Sequence, residues 1–156
     1  MGFDGFDRDA PAEMTLAAAC PDGKSEQIKL AIKKREYSIE RINGLPEAQV
    51  TPPPELLERI ARENTLINKA RADDNPLPHF LRGFVWPATG RLSGFYGDQR
   101  VLNGEPRAPH LGLDIAGPVG TPILATSSGT VTLAESDLFF TGGTIVIDHG
   151  HGVNSV

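Results

Sequence analysis

The sequence has a single cysteine, Cys20, and no apolar run that approaches the length of a membrane span. One thiol excludes an intrachain disulfide and leaves the redox compartment undefined. Excess positive charge is also missing. The 156 residues carry a formal net charge of −5, so nothing electrostatic favours nucleic acid or an anionic membrane as partner. No targeting segment is present either. Leu16-Ala17-Ala18-Ala19-Cys20 has the outline of a lipidation site, but Asp4, Asp7, Asp9 and Pro11 stand where such a signal needs a basic start and a longer apolar core. Met1-Gly2 does not continue into an acylation motif, because Phe6 occupies the Ser/Thr position. Cys20 is therefore expected in a buried or half-buried strand. No internal repeat of fixed period occurs.

What is present is globular in texture, with 39% hydrophobic and 22% charged residues, enough for one ordinary domain or two small ones. Three regions separate by composition. In residues 1–50, Glu26–Ile32 and Tyr37–Ile42 alternate polar and apolar, and Pro21-Asp22-Gly23 and Asn43-Gly44 punctuate them, as in short strands. Such a β unit cannot bury both faces alone and is expected to pack on another layer. Residues 51–79 open with Thr51-Pro52-Pro53-Pro54. Leu56, Leu57, Ile60, Leu66 and Ile67 then recur at near-helical spacing, with Glu55, Glu58, Arg59, Arg62 and Glu63 on the other face. This predicts one amphipathic helix with a packing stripe, ended by the linker Asp73–Pro78. From residue 80 glycine recurs between β-branched runs, Gly129–Leu133 and Thr144–Asp148, which is the pattern of an all-β module. The fold class expected is mainly β, with an N-terminal β accessory region and one connecting α-helix. Gly152–Val156 reads as the start of a further strand, and an apolar edge strand there is expected to mean a truncated domain.

His110-Leu111-Gly112-Leu113-Asp114 is the segment with chemical content. An imidazole and a carboxylate are both good zinc ligands. In an ideal strand, however, residues four apart lie roughly 13 Å apart along the chain. The backbone has to bend for the two to meet, and Gly112 gives it freedom to do so. Pro109, Gly112, Gly117 and Pro118 argue against a helix. On spacing alone the pair reads as a surface histidine and a turn-forming aspartate.

The surroundings change that. Gly90-Arg91-Leu92-Ser93-Gly94-Phe95-Tyr96-Gly97, His110–Ala116, Gly117-Pro118-Val119-Gly120-Thr121-Pro122-Ile123-Leu124-Ala125, Gly129-Thr130-Val131 and Gly142–Gly150 together resemble the lysostaphin-type, or LytM-domain, zinc metallopeptidases. The resemblance runs in consistent order over about half of the chain. The N-terminal half is similar, through less distinctive motifs, to the accessory region that precedes the peptidase domain in some members. The resemblance implies residues 80–156 as the N-terminal part of a β-rich domain that cleaves peptide cross-links or bridges in peptidoglycan. It implies Zn2+ as cofactor, with His110 and Asp114 as two ligands. It implies that the third ligand and the proton-transferring histidines come from a later His-x-His motif and from a histidine between the two motifs, expected beyond Val156. This chain alone is then expected to be inactive, with no catalytic histidine of its own. Tyr96 and Arg100 fall where members carry residues near the substrate groove; Tyr96 reads equally as core, and Arg100 equally as a brace for the loop up to Arg107.

His149-Gly150-His151 has the His-x-His form, but its neighbours match an earlier strand and turn of the family, so a partly exposed place beside a turn is expected. His79 is expected in solvent within the linker. The alternative to an enzyme is a non-catalytic LytM-like module that binds or regulates other cell-wall hydrolases, although such a module has no chemical need for His110 and Asp114. A β-barrel carrier domain needs a modifiable lysine, and none follows Lys69. The substrate lies outside the cytoplasmic membrane, so an exported, periplasmic or cell-envelope protein is expected, with a start upstream of Met1.

Overall fold

A computed structural model describes residues 8–46 and 50–156; the motif positions Met1, Gly2, Asp4, Phe6 and Asp7 lie outside them. The architecture is mainly β, with one long helix and four small sheets. Strands β1 (Glu13–Ala19) and β2 (Ser25–Ala31) form an antiparallel hairpin around Pro21-Asp22-Gly23. Cys20 sits at that turn, where its N–H donates to Lys24 O over 2.8 Å. It is exposed, which corrects the expectation of a buried strand cysteine: the proline-glycine turn takes it out of the ladder. The hairpin also does not pack its apolar face away. Leu16 and Ile28 pair across it and keep 38% and 49% of their surface exposed. Strand β1 escaped the sequence pattern because Leu-Ala-Ala-Ala does not alternate.

Strand β3 (Ile39–Ile42) leaves the hairpin and pairs in parallel with β5 (Gln99–Leu102), which turns at Asn103-Gly104 into β6 (Glu105–Pro106). Asn103 locks the far end, its side chain donating to Leu45 O at 2.7 Å and accepting from Leu45 N at 3.0 Å. Strands β4 (Arg91–Gly94) and β7 (Asp114–Ala116) form a bulged antiparallel pair. The fourth sheet has the order β10-β9-β8, from β8 (Thr130–Leu138), β9 (Gly142–Asp148) and β10 (Asn154–Ser155). The strand expected after Gly152 is thus present and pairs with β9.

A 3-10 turn at Pro54–Leu56 leads into α1 (Leu57–Ala72), close to the expected bounds. Its packing face differs from the simple apolar stripe. Glu63 and Ala70 are buried, whereas Leu57 and Leu66 are exposed. Glu63, assigned by pattern to the polar side, earns its place through hydrogen bonds: its carboxylate accepts Phe139 N at 2.7 Å and Arg59 Nε at 2.6 Å. Arg59 also reaches Asp137 O at 2.7 Å. A buried carboxylate with both oxygens satisfied ties the helix to the β8–β9 turn.

The expected linker is likewise a tie. Asp148, buried at the end of β9, accepts Asn75 N at 2.8 Å and Gly150 N at 2.7 Å. His151 N donates to Asn75 O at 3.0 Å and Phe80 N to His149 O at 3.1 Å. His79 lies half-buried in a 3-10 turn, His79–Arg82, rather than in free solvent.

The hydrogen bond from Phe139 N, and then the Arg59 contact, hold the Glu63 carboxyl below its ordinary value of 4.5. A depressed folded-state pKa contributes stability above 4.5 that is lost as pH falls through the lower folded value. Glu63→Gln is therefore expected to lower the thermal midpoint at neutral pH, and the gap from the unsubstituted chain should close as pH drops below 4.5. A gap unchanged from neutral to acid pH would show that the carboxylate contributes no pH-linked stability.

Candidate metal centre

The backbone fixes His110 before its side chain is considered. Residues 107–110 run beside 97–100: Arg107 N donates to Arg100 O at 2.8 Å, His110 N to Asp98 O at 2.8 Å, and Gly97 N to His110 O at 2.7 Å. The Gln99 side chain adds a bond to Arg107 O at 2.7 Å. The His110 ring places Nδ1 3.2 Å from Phe95 O. A carbonyl only accepts, so Nδ1 is the donor in this contact, and the neutral tautomer that makes it keeps an Nε2 lone pair for a metal ion.

Asp114 opens β7 opposite Gly94, where the β4–β7 register shifts. The chain between the two candidate ligands is outside any strand, and His110 Nε2 lies 3.3 Å from Asp114 Oδ1. The expected fold-back is therefore made. Gly112 contributes less than expected, since it does not adopt the left-handed region, and a Cβ there would make an ordinary 3.5 Å contact with His110 Nε2. The glycine that matters is Gly94. A Cβ at that position would overlap Asp114 Oδ2 and stand 2.9 Å from its Cγ. Only a bare backbone lets the carboxylate lie there.

This donor pair fits zinc. Two ligands on a tetrahedral ion with bonds of about 2.1 Å stand roughly 3.4 Å apart, and the observed separation is 3.3 Å. One donor is an imidazole nitrogen with its other nitrogen anchored, and the other is a carboxylate oxygen. Among the described residues no group of three or more His, Cys, Asp or Glu side chains is placed to hold a metal, so the chain brings two donors together here.

An open cavity of about 960 Å³ surrounds the pair, lined also by Asp98, Arg100, Glu40 and Phe140. The Arg100 side chain pairs with Glu40 at 3.1 Å, on the strand beside it. Its backbone, not its guanidinium, bonds the loop at Arg107. Tyr96 is absent from this lining; it packs edge-on to Tyr37, with ring centroids 6.4 Å apart, in a neighbouring cavity. Gly97 makes that packing possible: its φ is +90° and a Cβ would overlap the Tyr37 ring.

His149 and His151 do not form a ligand pair. His149 is fully buried rather than partly exposed. Its Nδ1 is 2.7 Å from Ser128 O, its Nε2 is 2.9 Å from Ser155 Oγ, and Phe84 packs edge-on at 5.3 Å. Both ring nitrogens are occupied. His151 is exposed at φ 53°, against Phe80. The roles of Gly94, Glu40 and the Phe95 carbonyl are not readable from the sequence, although Gly94 and Phe95 fall in a recognised motif stretch, because each acts through a pairing between distant segments.

The bulged β4–β7 pair and the loop before it bring a histidine and an aspartate to the spacing of two ligands on one metal ion. Residues 108–156 match the model of peptidase family M23. The chain is 42% identical over 67 residues to a Pseudomonas aeruginosa protein named lipoprotein NlpD/LppB homolog, covering 43% of this chain and 20% of that protein. A crystal structure of a candidate M23 peptidase, also from Pseudomonas aeruginosa, superposes with a TM-score of 0.64 at 28% identity. That match covers 92% of this chain and 50% of the other, so the chain spans well under two thirds of either relative.

Zinc titration of the chain, followed through backbone amide shifts around residues 94–98 and 110–114, tests the donor pair. Both His110→Ala and Asp114→Ala should abolish the shifts. Gly94→Ala should weaken binding roughly tenfold or more without lowering the thermal midpoint. His149→Ala should instead cost about 2–4 kcal/mol of stability. Unaltered zinc affinity in Gly94→Ala would remove Gly94 from any role in placing Asp114.

Proposed function

We propose that residues 80–156 supply part of a zinc endopeptidase centre acting on peptide cross-links or bridges of peptidoglycan, with residues 1–50 as an accessory β region and 51–79 as the connecting helix and tie. The observation that carries this is the approach of His110 Nε2 to Asp114 Oδ1, 3.3 Å apart, inside the M23-matching segment. Zinc bound by these two residues supplies an activated water and a polarised amide carbonyl.

The chain's own residues have defined tasks in this proposal. Phe95 O holds the His110 tautomer, and Gly94 leaves room for the Asp114 carboxylate. Arg100, steadied by Glu40, stands on the cavity wall to orient a peptide, and Tyr96 serves the substrate side from the adjoining cavity. The third ligand and the histidines that move protons belong to the part of the domain that this chain does not span. The substrate places the protein in the periplasm or cell envelope. No helix among the described residues is long and apolar enough to cross a membrane.

A second function class is a non-catalytic module that binds or regulates other cell-wall hydrolases. The likeness to a lipoprotein over 67 residues favours it; the paired zinc donors favour the enzyme. Purified sacculi separate the two. The chain alone should release no peptide. Grafted in place of the matching segment of the solved Pseudomonas aeruginosa domain, it should support zinc-dependent release that His110→Ala abolishes. Binding to sacculi without release from the graft, with zinc present, would favour the regulatory module.

A further inference from the structure

Next to the candidate metal centre lies a second cavity of about 620 Å³, walled by Arg8, Lys33, Lys34, Arg35, Tyr37 and Tyr96. Four cations border one space in a chain whose net charge is −5, and among the described residues Asp9 is the one carboxylate in its lining. Among the described residues, Lys33, Lys34 and Arg35 enter no ion pair. Four cations gathered around one carboxylate still leave a local excess of positive charge, so the arrangement gains from a further anion.

The guanidinium groups are oriented. Those of Arg8 and Arg35 lie 5.5 Å and 5.8 Å from the Tyr37 ring centroid, within cation–π range. Stacking of this kind presents planar N–H forks suited to carboxylates. Arg8 Nη1 donates to Gln99 Oε1 at 3.0 Å, while Arg8 Nε is buried with no hydrogen-bond partner. A buried donor without an acceptor is costly and marks where a ligand oxygen is wanted.

The two cavities adjoin. Gln99, which receives Arg8, lines the His110 cavity. Tyr96, in the cationic wall, follows Phe95, whose carbonyl holds the His110 ring. We infer that the cationic cavity is a subsite for a carboxylate-bearing peptide segment, holding a free carboxylate of the stem peptide while a neighbouring amide lies at His110 and Asp114. This rests on the peptidoglycan proposal for the metal centre. The size suits a short peptide stretch, and the adjoining site selects a peptide carboxylate over a free phosphate.

The test is calorimetric titration of the 156-residue chain, with zinc present. The probes are a soluble stem peptide with free carboxylates, its fully amidated counterpart, and inorganic phosphate. The free acid should bind roughly tenfold more tightly than the amide. The triple variant Lys33→Gln/Lys34→Gln/Arg35→Gln, whose side chains are exposed, should keep the thermal midpoint of the unsubstituted chain and lose that preference. Arg8→Gln should reduce it, and His110→Ala should retain it. Equal binding of acid and amide to the unsubstituted chain, or a preference that survives the triple variant, overturns the subsite and leaves the metal-centre proposal standing. Phosphate competing as strongly as the acid overturns it too, by making the cavity a general anion site. Failure of sacculus hydrolysis in the graft, with the acid preference intact, overturns the metal-centre proposal instead.

Discussion

Outside a helix, two side chains four residues apart can share an ion only if the chain between them folds back, and much of the candidate site follows from how that is done. The turn is not held by the residues inside it. It is held from outside, by the ladder between residues 97–100 and 107–110 and by the β4–β7 bulge that sets Asp114 against Gly94. The ladder delivers His110 with one ring nitrogen already engaged by Phe95 O. The bulge delivers Asp114 with its carboxylate lying over bare backbone. Both donors are thus set by main chain, which is stiffer than any arrangement of side chains.

Away from this corner the molecule is fastened at two points. Glu63 fastens α1 to the β8–β9 turn, and Asp148 fastens the segment after the helix to the end of β9. Each is a buried carboxylate with both oxygens engaged, Asp148 by two backbone N–H groups and Glu63 by one backbone N–H and the Arg59 guanidinium. This small fold has few wholly buried apolar side chains, and such polar fasteners do part of the organising that a larger hydrophobic core would otherwise do.

The fold class, the helix, the two long β-strands after residue 129 and the His110–Asp114 pair were all legible in the sequence. Each is written in local signals: spacing of apolar residues, turn residues, and a motif within five positions. What was not legible depends on partners far along the chain. Glu63 looks polar-faced until Phe139 is beside it. Gly94 looks like one glycine among 17 until Asp114 lies across from it. His149 looks like a possible ligand beside His151 until Ser128 and Ser155 are seen to occupy its ring nitrogens. Gly112, by contrast, looks necessary from its position between His110 and Asp114, and the backbone does not require a glycine there. Cys20 was placed by the apolar residues before it, whereas the proline after it decides.

The pairing of β3 with β5 has a consequence for how the protein comes to be folded. Glu40 and Arg100, partners in that ladder, are 60 positions apart in the chain, and the pairing is parallel, with no short hairpin to bring the strands together. The hairpin of β1 and β2 and the helix α1 involve near neighbours and form fast, while closing so long a loop delays the strand pairing that needs it. The sheet beneath the metal corner therefore completes late, after the elements on either side of it have formed. In a nascent chain, β3 waits with both edges open until residues 99–102 have been made.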